Sequence, residues 1–525
     1  MKRNRVRDSV LWFLILGCGV LLRIYKFGIA PGNGAMHKDE AYAAYEAWSL
    51  LHYGIDSHGY HYPVYFSAWN SGMNVLESYL MIPFIRIWGL NNVTARLPQL
   101  ITAICSLPAF YFLVKKIIGK KAAYIAMGVL SLAPWHIMMS RWGLESNLFP
   151  SFFLFGLAFL LYGDNKQYRF LFTGFFWGLS LYCYSAMWVI MPFLVFGIVG
   201  FLLHEKYLHI SPCLLAGGAI LVALSIPLFL FIMVNTGIVA EIITPFFSVP
   251  KMYSFRGNEI GFSHLNANFV HFLHIFSAQD NGRQNEVISE FGLYYHFSNL
   301  FILLGIGESF AYLRKANRNN TEYQGHCIMI IWLGCSVLLG LLVDVNFVRI
   351  NVIHYVLLFY CSYAIYKLFV YFGDGPLYAI AIAYGISTML FLSTYVGSYT
   401  KDVTAGLWGN GAKEALGYAN EMFPQRRLHV FDLTPSQVFY YEKIPTDVVA
   451  EQVAAQKSMG EFYAYHIFSN YIIEGITDDE PVYQIEDVYL YSKDNIEVNE
   501  KCRDMGLSTI EFEMMRVSFA GQGAE

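Results

Sequence analysis

The chain has 525 residues, of which 56% are hydrophobic, 17% aromatic and only 14% charged, and its mean hydropathy is +0.41. Soluble domains carry about 25% charged residues, so a water-soluble enzyme is excluded and a polytopic helical membrane protein is expected. The net charge of -4 conceals a split: residues 396–525 hold 10 basic and 21 acidic side chains, while residues 1–395 hold 25 basic and 18 acidic ones. No basic tract points to nucleic acid.

In chain order, the first apolar run, Ser9–Phe27, reads as a signal anchor and first span, with no small-residue cleavage site after it. Apolar runs close to the length that crosses about 30 Å of hydrocarbon follow at 97–114, 122–139, 147–162, 170–184, 188–203, 210–234, 297–313, 326–343, 350–366 and 376–395. The short segments on the N-terminal side of these eleven spans, 2–8, 115–121, 163–169, 204–209, 314–325 and 367–375, hold 15 Lys and Arg in 48 residues. The positive-inside rule then places the N-terminus in the cytoplasm and the acidic tail outside. Residues 74–90 are short for a span and carry Glu77, Pro83 and Arg86. Leu76, Tyr79, Leu80, Phe84, Ile87 and Trp88 recur there at helical spacing, so an amphipathic helix lying on the outer face is expected. Residues 38–53 read the same way, with Ala41, Ala44, Tyr45, Trp48 and Leu51 on one stripe. A second long outer segment, Asn235–His296, reads as a loop. In the tail, GAKEALGYANEMF predicts a helix, and LHVFDL and VYQIEDVYLYS predict strands of a small α/β domain.

The chemistry-bearing residues lie on the outer side. Asp39 and Glu40 open the first surface helix, where orphan N–H groups and the helix dipole favour a carboxylate. The same position suits a general base. Arg96, Arg141 and Arg349 fall at outer span ends; each can be an interfacial snorkelling residue, or a planar fork for a phosphate. Glu145 and Asp344 are expected to bridge to these arginines. His58, His61, His264, His271 and His274 are loop histidines, and the last two have a spacing that suits a metal. No metal or other cofactor is expected, with a divalent ion as the alternative. Seven of the eight cysteines lie in or beside spans, where Cys is usually a small hydrophobe, and Cys502 alone cannot form a disulfide within the tail. There is no Walker A motif and no GxGxxG opening a helix after a strand; Asp478-Asp479-Glu480 lies in the outer tail, where nucleotide sugars are not expected, so a sugar transferred outside would come from a lipid-linked donor.

Four segments together resemble the GT-C superfamily of membrane glycosyltransferases, in particular the protein O-mannosyltransferase and aminoarabinose-transferase group (glycosyltransferase family 39-like). They are HKDEAYAAYEAWSLLHYG; YPVYFSAWNSGMNVLESYLMIPFIRIWG followed by ARLP; SRWGLESNLFP; and VNFVRIN, with EFGLYYHFSNLFILLGIG before a middle span. The resemblance extends over residues 1–395 and implies a GT-C-type transmembrane domain there and an extracytoplasmic α/β domain over 396–525. It implies an inverting transfer of one sugar from a polyprenyl-phosphate donor to a hydroxyl of a protein, lipid or cell-wall acceptor at the outer face of a plasma membrane. Asp39 would be the base, Glu40 its neighbour, and Arg96 the contact to the donor phosphate; Arg141 and Arg349 would line the phosphate or the pocket wall. Where aminoarabinose transferases carry an acidic residue and a lysine before the loop proline, this chain has His61 and Tyr62 before Pro63, which then stand at the substrate-binding position. The chain lacks the β-trefoil of eukaryotic mannosyltransferases and the WWDYG of oligosaccharyltransferases. A bacterial origin fits the cysteine usage. The rival readings are a transporter or flippase of a lipid-linked precursor, which would need charges deep in several spans, and a non-catalytic scaffold.

Overall fold

The computed structural model describes residues 2–68, 72–162, 166–254, 265–318, 320–456 and 465–521. Its helices are α1 (Lys2–Ile24), α2 (Lys38–Tyr53), α3 (Leu76–Trp88), α4 (Asn92–Ile117), α5 (Lys120–Leu132), α6 (Pro134–Met139), α7 (Phe149–Leu161), α8 (Arg169–Ser180), α9 (Met187–His204), α10 (Pro212–Asn235) and α11 (Leu265–Ala278). They continue with α12 (Ser298–Lys315), α13 (Thr321–Leu342), α14 (His354–Phe372), α15 (Asp374–Thr394), α16 (Thr404–Leu407), α17 (Ala412–Met422), α18 (Pro435–Glu442), α19 (Thr446–Gln456) and α20 (Ile496–Asp504). Strands β1 (Ile242–Ile243) and β2 (Ser248–Val249) form a small antiparallel pair. The tail adds β3 (Leu428–Val430), β4 (Ile467–Phe468), β5 (Tyr471–Ile473), β6 (Val488–Ser492), β7 (Ser508–Phe512) and β8 (Met515–Phe519).

Two compact units result. The first comprises Met1–Phe27, Gln99–Ile226 and Gly257–Thr394; the second comprises Gly28–Pro98, Pro227–Arg256 and Tyr395–Glu525. The tail is thus grouped with the first long outer segment and with the start of the second, whose remainder belongs to the first unit.

In the first unit a helix lies under every proposed span. Among the described residues, six helical stretches have the length and apolarity to cross a membrane: Asn92–Ile117, Met187–His204, Pro212–Asn235, Thr321–Leu342, Asn351–Phe372 and Asp374–Leu407. The expected run 122–139 is divided into α5 and α6, because Pro134 ends the first helix and opens the second. α14 is the central rod, with His354–Ile365 buried without a break. Its close packing on α12 requires a glycine. A Cβ on Gly305 would stand 1.9 Å from the Tyr360 carbonyl oxygen, a backbone approach that only a small residue allows. By contrast, α10 and α15 are each only 22% buried over their apolar windows and turn Phe229 and Met389 outward, as lipid-facing helices do. Asn235–His296 is not one loop: α11 buries Phe272 and Ile275 on one side, so its apolar period makes a helix.

In the second unit the strand order is β4-β5-β3-β6-β8-β7. β3 pairs in parallel with β5 and β6, while the edges are antiparallel. The strands LHVFDL and VYQIEDVYLYS are realised as their buried parts, β3 and β6, and GAKEALGYANEMF as α17. α2 departs from the expected surface helix. Instead of one buried stripe, Glu40–Ala47 are all buried, because α3 packs on one side and α18 of the tail on another. In α3, Leu76, Glu77, Ser78, Met81 and Ile85 face inward, while Ile87 and Trp88 of the expected apolar stripe stay 66% and 61% exposed, the side that an interfacial helix gives to lipid. At 13 residues it is too short to span.

Candidate active site

The N-terminus of α2 is built as a reciprocal cap. The His37 ring accepts the Asp39 amide at 3.3 Å, and the Glu40 carboxylate accepts the His37 amide at 3.2 Å. This arrangement satisfies two orphan donors with a histidine where Ser or Thr usually stands. Burial holds His37 below the ordinary imidazole range, against the opposing pull of Asp39, which favours the neutral ring whose Nδ1 accepts the Asp39 amide.

Asp39 and Glu40, neighbours in sequence, meet opposite environments. Glu40 is fully buried and takes both arms of the Arg96 guanidinium, Nε to Oε1 at 2.9 Å and Nη2 to Oε2 at 2.8 Å. The Trp408 indole N–H donates to the same carboxylate at 3.2 Å. Arg96 also donates to the carbonyls of Pro31 at 3.3 Å and Ala35 at 2.9 Å. A two-pronged pair with every described partner in place is the geometry that makes a buried ion pair tolerable. Asp39 is only partly enclosed, with its side chain 25% exposed and one oxygen 3.6 Å from His37.

The tail holds this loop in shape. Ser436 and Gln437 of α18 donate to the carbonyls of Lys38 at 2.9 Å and Met36 at 3.0 Å, and the Met36 amide donates to the Tyr441 hydroxyl at 3.0 Å. The Trp408 ring fills the space beside Gly32, where a Cβ would meet it at 2.6 Å, and Thr404 accepts the Gly32 amide at 2.8 Å. Further along α2, Glu46 accepts the Ser57 amide at 2.9 Å and its hydroxyl. Asp56 accepts the amides of His58 and Tyr60 at 3.0 and 2.8 Å. Burial pushes both carboxyls upward, and their mutual repulsion adds to this for Glu46. Glu77 on α3 is pushed up to about 8 by burial and then by the Glu40 charge.

Comparison with known proteins bears on this arrangement. Residues 75–231 match the model of a family described as dolichyl-phosphate-mannose-protein mannosyltransferase, under a third of the chain. The structure is similar to ArnT from Cupriavidus metallidurans bound to undecaprenyl phosphate, with a TM-score of 0.56 and 11% identity over 96% of this chain and 97% of that one. By fold the chain is of GT-C type, and the matched segment is similar to that mannosyltransferase family. An oligosaccharyltransferase from Archaeoglobus fulgidus in the apo form gives a TM-score of 0.49 and 12% identity, over 84% of this chain and 64% of that one. No curated protein matches the sequence.

Within this GT-C-type fold, Asp39, Glu40, Arg96, His61 and Tyr62 all fall in the second unit, while Arg141 and Arg349 fall in the first. Arg96 differs from the expected open phosphate contact: it is fully buried against Glu40. His61 is half-buried with its Nδ1 3.1 Å from the Gly54 carbonyl, and Tyr62 is 44% exposed. The adjoining segment is strapped down by a Val64 amide bond to the Ser248 carbonyl at 3.0 Å. Arg141 is buried and donates to the Leu22 carbonyl at 2.6 Å. Arg349 pairs loosely with Asp344 at 3.5 Å, which is the salt bridge expected of Asp344.

His271 and His274 lie exposed on α11 instead of in a loop, and among the described residues no cluster of three or more His, Cys, Asp or Glu is arranged for a metal ion. His58 contacts Tyr465, 3.2 Å from its Nε2. His264 and residues 69–71 of the YPVYFSAWNSG segment lie outside the described residues. The sequence reading missed Trp408, Ser436, Gln437 and Tyr441, whose signal was weak: isolated polar or aromatic residues of the tail, some 370–400 positions from their partners.

Proposed function

We propose that the protein is an inverting glycosyltransferase that moves a single sugar from a polyprenyl-phosphate carrier to an acceptor hydroxyl, with Asp39 as the general base. The observation that carries this reading is the division of labour between neighbours: Glu40 is consumed by Arg96, Trp408 and the His37 amide, whereas Asp39 keeps solvent access at the same helix terminus. Asp39 takes the acceptor proton as the acceptor oxygen bonds to the anomeric carbon. The bond from that carbon to the phosphate oxygen breaks, and the polyprenyl phosphate leaves with the electron pair. The transition state is oxocarbenium-like. In this reading Arg96 is a positioning residue that fixes α2 through Glu40, and Arg141, Arg349, His61 and Tyr62 are the substrate-side candidates. The undecaprenyl phosphate in the similar ArnT structure supports a carrier of that class. The basic segments 115–121 and 163–169 support a cytoplasmic N-terminus and chemistry at the outer face of the membrane.

The test is polyprenyl phosphate release in membranes supplied with polyprenyl-phosphate hexoses and candidate acceptors, comparing wild type with Asp39→Asn. Loss of a general base costs about 10²–10⁴-fold, so the variant is expected to release carrier at least about 100-fold more slowly while donor binding persists. Equal release by both proteins would remove Asp39 from the mechanism. Donor carried across the membrane with no sugar transferred would favour a transporter.

A further inference from the structure

Four of the short basic-side connections of the first unit meet at one place. Lys116 at the end of α4, Arg169 at the start of α8, Tyr207 beyond α9 and Gln324 in the first turn of α13 line a polar cavity of about 280 Å³. Arg169 also lines a groove of about 810 Å³ bordered by α4, α7 and α8. The walls of that groove are apolar and largely aromatic, with Phe112, Phe152, Phe155, Phe159 and Phe176 among them. Its rim carries cations as well: Lys166 lines it, and the Lys115 ammonium lies 5.8 Å from the Phe112 ring centre and 6.0 Å from that of Tyr162.

We propose that this groove and cavity together bind one anionic phospholipid of the surrounding bilayer, with an acyl chain along the aromatic groove and the phosphate at Lys116 and Arg169. Charge complementarity selects this occupant. An apolar groove alone would accept any lipid tail, and basic side chains at span ends ordinarily snorkel to the interface. Here, however, Lys116 and Arg169 are partly buried and line a recessed polar cavity beside a hydroxyl and an amide. An ammonium, a guanidinium fork and two neutral hydrogen-bonding groups form a donor set suited to phosphate oxygens. Basic pockets between transmembrane helices hold anionic headgroups for this reason. The site uses none of the residues assigned to sugar transfer, and neither proposal depends on the other.

The test uses the purified full-length protein, delipidated in detergent, with binding of dioleoylphosphatidylglycerol and dioleoylphosphatidylcholine followed by native mass spectrometry. The wild type is expected to bind the anionic lipid about ten-fold more tightly than the zwitterionic one. Lys116→Gln with Arg169→Gln is expected to erase that preference. Ala158→Trp, which fills the groove without touching the cations, is expected to weaken retention of both lipids, and it keeps the test decisive if the double variant fails to fold. Equal affinity of the wild type for the two phospholipids would overturn the proposal. So would a preference that the folded Lys116→Gln, Arg169→Gln variant retains, a retention of both lipids that Ala158→Trp leaves unchanged, or binding of undecaprenyl phosphate without phosphatidylglycerol.

Discussion

The α2–α3 pair treats its buried carboxyls in opposite ways. At the start of α2, Glu40 lies at zero exposure with a guanidinium 2.8 Å away and an indole N–H beside it. Elsewhere on the same pair of helices, Glu46 and Glu77 are equally buried, yet no cation is described against them and burial drives both carboxyls upward. Depth alone therefore does not decide the charge of a carboxyl; the partner does. A desolvated carboxylate survives only when its lost hydration is replaced by a well-aligned cation and hydrogen bonds, and otherwise the group takes up a proton. For the site, the first arrangement provides a rigid charged anchor immediately behind Asp39, and the second provides neutral, pH-sensitive packing further from it.

The largest test of this contrast is to strip Glu40 of its cation. Arg96→Ala leaves a buried unpaired carboxylate, and thermal or chemical unfolding in detergent is expected to report a loss of about 3–5 kcal/mol. Replacing both members with apolar residues of similar volume, Glu40→Leu with Arg96→Met, should cost less than the single change. A double variant worse than the single would refute the role of the pair as a matched charge unit.

On α3, Glu77→Gln should act in the reverse sense. The folded carboxyl ionises near 8 instead of 4.5, so its contribution to stability is complete below about pH 4.5 and is lost as pH rises through about 8. The wild-type melting temperature is expected to fall between pH 5 and 9 by more than that of the variant; parallel profiles would show that Glu77 carries no such linkage.

A smaller effect is expected from Trp408→Phe, which keeps the ring against Gly32 and His37 but deletes the indole N–H bonded to Glu40. Hydrogen bonds to charged groups contribute about 1.5–3 kcal/mol, and because Trp408 steadies the cap of α2, sugar transfer should fall along with stability. The smallest effect belongs to the other arginine pair. Arg349 and Asp344 are 3.5 Å apart and partly solvated, so Asp344→Ala should change stability by less than about 1 kcal/mol. A larger loss would mean that the exposed and buried pairs are not different in kind.

Much of this architecture was legible in the chain. The helices under the proposed spans follow from hydrophobic run length, because a bilayer leaves the backbone few ways to satisfy itself. The starts of α2 and α17 and the positions of β3 and β6 followed from local periodicity. What local pattern could not supply was the identity of the neighbours. The stripe of α3 marked the side turned away from the protein, but it did not show that Glu77 would be packed inward opposite it. For the same reason Arg96 read as a snorkelling residue or a phosphate fork and its bond to Glu40 went unseen, since Glu40 is 56 residues away in sequence.

By itself, then, the sequence determined that this is a helical membrane protein with an acidic tail and a carboxylate pair opening a helix, because run length, charge balance and capping are local or additive properties. Only the tertiary structure decided that Glu40 is spent on Arg96 while Asp39 remains reachable, and that α18 and Trp408 of the tail hold the loop between them. Those outcomes depend on which distant groups are brought within hydrogen-bonding distance, and on how completely water is removed when they meet.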